Sequence, residues 1–140
     1  MNRSKWLVMV TVACVAAWLV AGEARAQKTK GKTRPLTTKQ MMKGWTGPAN
    51  TELKKALEAD SVDWDAVKLQ AALLSEQGYV LMDDGRCPDD VWAKSSKALQ
   101  TTAAALLEKA EAKDLEGSKA AHAELIAQSC RVCHPVHKGK

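Results

Sequence analysis

The chain has 140 residues, 21 basic and 16 acidic, for a formal charge of +5 with neutral histidines. A length of this order accommodates one small domain. Much of the positive charge lies at the two ends (Lys28, Lys30, Lys32 and Arg34; Lys138 and Lys140), and between them acidic residues outnumber basic ones. No basic stripe is interleaved with aromatics, so nucleic-acid binding has no support.

Residues 1–26 read as a secretory signal peptide. Arg3 and Lys5 form a basic start, Trp6 to Ala21 is apolar, and Ala24-Arg25-Ala26 has the small-x-small form of a cleavage site. The apolar run is short for a spanning helix. The expectation is an exported, periplasmic protein cleaved after about Ala26, with no stable membrane insertion afterwards. An uncleaved N-terminal anchor is the alternative reading. Cys14 falls inside the segment to be removed.

Residues 27–35 are polar, basic and aperiodic, which predicts a disordered leader before a domain over 36–140. A first helix is expected over about 37–58, carrying Met41, Met42, Trp45, Leu53 and Leu57, with Gly47-Pro48 kinking or interrupting it. Ser61 can cap a second helix, in which Trp64, Val67, Ala71, Leu74 and Gly78 recur every three or four positions. The stretch 82–87 reads as a turn. Pro88 fits the start of a third helix, with Asp89 and Asp90 in its first turn and Val91, Trp92, Leu99, Leu106 and Ala110 facing inward. Asp114 is the expected cap of a fourth, where Leu115, Ala121, Leu125 and Ile126 lead to Cys130, Cys133 and His134. Pro135 should stop or distort that last helix. Strand signals are absent. The fold class predicted is all-α, an antiparallel up-down-up-down four-helix bundle enclosing a covalently attached haem.

The haem expectation comes from Cys130-Arg131-Val132-Cys133-His134, a C-x-x-C-H attachment signature. Positions i, i+3 and i+4 share one helix face, so two thiols and an imidazole can meet one edge and one side of a flat ring. One haem c per chain is expected, thioether-bound to Cys130 and Cys133, with His134 as proximal iron ligand. A zinc half-site would need about four ligands, and the remaining candidates are scattered. A thioredoxin-like pair would want a strand–helix context. Scarce aromatics and runs such as Ala103-Ala104-Ala105 leave room for a large flat group.

In the commoner arrangement of small cytochromes the motif lies near the N-terminus and a Met downstream completes the iron; here no Met follows His134. A C-terminal C-x-x-C-H on the last of four helices resembles the cytochrome c′ family, the class II cytochromes c. Val91-Trp92-Ala93-Lys94 and the alanine-rich run after it add to the likeness, which spans about residues 36–138. Met42-Lys43-Gly44 is similar to the Met-ligated, low-spin branch, in which a Met-Lys pair on helix one precedes a glycine. The resemblance therefore implies Met42 as distal iron ligand, with Met41, about 100° away on the helix, behind it. Without that resemblance both read as core gap-fillers. The tail departs from the family: Pro135-Val136-His137-Lys138 keeps the basic residue but not the aromatic usually before it.

One-electron transfer with an unidentified periplasmic redox partner is the expected function. The alternative is a five-coordinate haem protein binding a small gas such as nitric oxide. No acid–base or nucleophilic constellation points to an enzyme. Relatives of this kind often dimerise through their first two helices, so a homodimer is one expected state. His137 lies on the proximal side and is a poor iron ligand; His122 is expected at the surface. Cys87, in a turn, is either a small buried residue or an intermolecular disulfide partner. Lys43 and Lys138 are candidates to neutralise haem propionates.

Overall fold

The structure, a computed structural model, describes residues 30–138. The expected signal peptide and Cys14 lie outside the described residues. Those described form four packed helical segments, compatible with a helical bundle, and no strand. None of their helices is long and apolar enough to cross a membrane.

The first segment comprises α1 (Thr38–Met41), a wide π turn (Met42–Thr46) and α2 (Gly47–Glu58). Thr37 opens it with a full capping box: its side chain accepts from the Gln40 amide while the Gln40 side chain reaches back to the Thr37 amide. Gly47-Pro48 does not break the helix; it is preceded by the wider turn. Pro48 has no amide hydrogen and its ring clashes with the carbonyl four residues back. The chain accommodates this by letting the Gly47 amide reach the Met42 carbonyl, five residues earlier. A side chain at Gly47 would place its Cβ 3.0 Å from that same oxygen, so glycine suits the close approach.

The second segment is α3 (Trp64–Met82) and the third is α4 (Asp90–Glu111). Asp63, not Ser61, caps α3, accepting from the amides of Asp65 and Ala66. Asp89 is the cap of α4 rather than a first-turn residue, accepting from Trp92 at 2.9 Å. The two helices run antiparallel: Leu81 meets Trp92 near one end, and Ser75 meets Gln100 further along. Gly78 lets them approach closely, since a Cβ there would lie 2.9 Å from both the Gln100 nitrogen and the Ser96 oxygen.

The fourth segment is α5 (Leu115–Leu125), a second π turn (Ile126–Cys130) and α6 (Arg131–His137). Asp114 caps it through the Gly117 amide at 2.8 Å. Pro135 sits inside α6 without ending it. Ser118, Leu125, Ser129 and His137 are buried along this segment. Their longer spacings drift around an ordinary 3.6-residue helix, and the wide turn brings the inward stripe back into line.

The core contains Leu53, Leu57, Val67, Ala71, Leu74, Leu99, Ala103, Leu106 and Leu125, all nearly inaccessible. Most of the stripes expected from helical periodicity are inside. Val91 and Trp64 are only partly covered.

The disordered leader expected over 27–35 is corrected where it is described. Residues 30–37 form a strap across the α3–α4 turn. Asp84 accepts from the amides of Thr33 (2.9 Å) and Arg34 (3.0 Å), and Lys32 donates its amide to the Asp84 carbonyl (3.1 Å). Buried Arg86 donates to the Arg34 carbonyl at 3.2 Å. Basic composition argued for disorder, but partners fifty residues away hold this segment.

Candidate functional site

A cavity of about 500 Å³ opens between the first, third and fourth segments, within the size range of small-molecule and cofactor sites. It collects residues far apart in sequence. Met42, Lys43 and Thr46 come from the first π turn, with Thr38 and Lys39 just before it and Asn50 one turn after. Trp92, Ser95, Ser96 and Leu99 come from the start of α4, with Leu81 beneath. Cys130, Cys133, His134, His137 and Lys138 come from the end of the fourth segment.

All four residues singled out from the sequence, Met42, Cys130, Cys133 and His134, line this one cavity. Met41 does not: it is 2% exposed and belongs to the core. The 100° between neighbouring residues separates the two methionines, one inward to packing and one to the cavity. Met42 Sδ accepts a hydrogen bond from Thr46 Oγ1 at 3.3 Å.

Cys130 and Cys133 are free thiols, half-buried on adjacent turns. Burial pushes the Cys130 thiol up. Burial, with the Cys130 sulfur and Asp89 nearby, pushes Cys133 up to about 11. Such thiols stay protonated at neutral pH, the opposite of the thiolate that a redox-active pair needs. Among the described residues no group of three or more His, Cys, Asp or Glu side chains is placed to hold a metal ion. His134 is exposed at the cavity wall. Partial burial and then the charge of Lys138 hold its pKa below the usual value, so the neutral imidazole with a free lone pair is favoured.

Two hydroxyl groups in the wall are orphaned. Thr38 Oγ1 and Ser95 Oγ are buried and have no hydrogen-bond partner, which is costly unless a ligand or water satisfies them. The donor set fits a haem: two un-ionised thiols and an imidazole on one wall, a thioether from another helix, apolar Trp92, Leu99 and Leu81, and basic Lys39, Lys43 and Lys138.

The two other histidines have roles that the sequence did not reveal. His137 is buried against Trp92, with Nε2 3.4 Å from Asp89 Oδ1, which ties the chain's end to the cap of α4. His122 is half-buried rather than at the surface, and its Nε2 lies 2.8 Å from Asn50 Oδ1, linking the fourth segment to the first beside the cavity. Burial, then Lys54, lowers the His122 pKa despite the opposing Glu58. A uniform helical pitch misjudges its direction because the second π turn intervenes. Cys87 is half-buried against the core, its Sγ 3.6 Å from the Asp89 carbonyl.

A scan against protein-family models, a search of curated proteins and a search of solved structures each found no match.

Proposed function

We propose that the protein is an exported mono-haem c-type cytochrome of the cytochrome c′ kind that carries single electrons. The observation that carries this reading is the convergence of Cys130, Cys133, His134 and Met42 on one cavity, although Met42 and Cys130 stand on different helices. The C-x-x-C-H spacing supports the covalent attachment, and the four-helix architecture supports a sheath around a flat ring.

In this reading Cys130 and Cys133 would hold the haem through two thioether bonds. His134 and Met42 would hold the iron, through a neutral imidazole nitrogen and a thioether sulfur. The group, when bound, would supply a ferric–ferrous couple, whose potential Met/His ligation raises. Trp92 and Leu99 exclude water, and the Thr38 and Ser95 hydroxyls provide polar contacts. Lys39, Lys43 and Lys138 would supply positive charge to the acidic groups of the haem. The first and fourth segments hold the two axial side chains on separate, packed helices, which limits their movement as charge changes.

The test is the optical and paramagnetic-resonance spectrum of the oxidised, purified protein. A low-spin, thioether-ligated spectrum that becomes high-spin in Met42→Ala supports the account. A high-spin wild-type spectrum that shifts readily with nitric oxide supports the five-coordinate, gas-binding alternative.

A further inference from the structure

Three threonines inside the helices of this protein share one habit. Thr51 donates its hydroxyl to the Gly47 carbonyl at 2.9 Å, Thr101 to the Lys97 carbonyl at 3.2 Å, and Thr102 to the Ala98 carbonyl at 2.7 Å. Each bonds four residues back, the usual outlet for a helical threonine. Thr46 is different. Its hydroxyl goes to the Met42 sulfur, a far weaker acceptor. In the π turn the Met42 carbonyl accepts the Gly47 amide. Thr46 and Met42 both line the cavity.

We infer that Thr46 is a positioning residue for the Met42 thioether, its hydroxyl fixing the sulfur's orientation and reducing its electron donation to iron. The inference rests on the reading of Met42 as distal ligand. A thioether sulfur has two lone pairs. With one accepting the Thr46 proton, the other is left for the cavity. Met has three rotatable bonds and no intrinsic preference for one sulfur orientation, so a bond from a β-branched residue, itself stiff at χ1, supplies that preference. A donor on the sulfur also withdraws density from it. The ferric ion, being more electron-poor, loses more by this than the ferrous ion. Thr46 therefore favours the reduced state, in the way that outer hydrogen bonds tune other metal ligands.

The experiment compares holoprotein carrying Thr46→Val, which keeps the shape and loses the proton, with Thr46→Ser, which keeps the proton. Midpoint potential is measured alongside the proton NMR signal of the Met42 methyl in the ferrous state. Thr46→Val should remain low-spin, shift to lower potential and broaden the methyl signal as the sulfur samples two orientations. Thr46→Ser should restore both towards wild type. Thr46→Ala, read in the same way, serves if the valine variant fails to fold. Unchanged potential and methyl signal in the valine or alanine variant, with a thioether-ligated wild type, would overturn the role of Thr46 and leave Met42 as ligand. A wild type without thioether ligation would overturn both.

Discussion

The imidazole of His137 stands edge-on against the indole of Trp92, ring centroids 5.2 Å apart and planes at 83°. The contact joins the last turn of the chain to the first turn of α4, and Asp89 lies beside both: its Oδ1 caps the Trp92 amide and approaches His137 Nε2. Trp92 Nε1 in turn donates to the Leu81 carbonyl at 2.7 Å. One aromatic side chain thus fastens the ends of three helical segments beneath the cavity.

Trp92→Phe keeps most of the ring and deletes the indole donor, leaving the Leu81 carbonyl unpaired near the C-terminal end of α3. The expected loss is about 1–3 kcal/mol, read as a fall in denaturation midpoint at unchanged denaturant slope. A variant as stable as wild type would mean that water replaces the bond.

The two adjacent methionines should separate cleanly. Met41 is 2% exposed in the core, so Met41→Ala should destabilise by about 2–5 kcal/mol while the iron spectrum stays as in wild type. Met42→Ala should do the reverse, changing spin state with a smaller stability loss. Paired chemical denaturation and optical spectra check both halves.

His122 makes stability pH-dependent. Its folded pKa lies below the ordinary 6.5, so the unfolded chain takes up the proton first. The penalty is absent well above that value and grows as pH falls through it towards the folded value. His122→Gln can still donate to Asn50 and does not titrate. Its unfolding free energy should fall less than that of wild type between neutral and mildly acidic pH. Parallel curves for the two proteins would refute the assignment.

Asp84 holds the strap. Partial burial alone would raise its pKa, but the amides of Arg34 and Thr33, the Thr33 hydroxyl and Arg86 lower it below 3.8. The strap should therefore remain docked as pH falls until the pH passes below that ordinary value. Asp84→Asn removes the charge and one of the two acceptors. Hydrogen exchange at the Thr33 and Arg34 amides should quicken, while α3 and α4 keep their protection.

Much of the architecture is legible from local pattern. Leu53, Leu57, Val67, Ala71, Leu74, Leu99, Leu106 and Leu125 follow helical periodicity into the core, and Asp114 caps where expected. The cap of α3 was displaced from Ser61 to Asp63 because half-buried Val62 precedes the helix and both Ser61 and Asp63 are good capping residues. The four residues singled out by thiol spacing and by a resemblance on the first helix line one cavity. What pattern does not carry is long-range. The strap on Asp84, the His122–Asn50 link and the His137–Trp92 contact each join elements distant in sequence. The π turns, too, arise from Pro48 and from packing of the fourth segment, and they change which side chains face inward without altering composition.

The proposed function rests on covalent haem at Cys130 and Cys133, which the intact mass of the exported protein reads out. Expressed with its full leader alongside haem-attachment machinery, the exported protein should have the mass of its chain plus one haem. The increment should survive acid–acetone extraction and be lost when both Cys130 and Cys133 are replaced by Ala. An exported wild-type protein with the mass of the bare polypeptide would contradict the account.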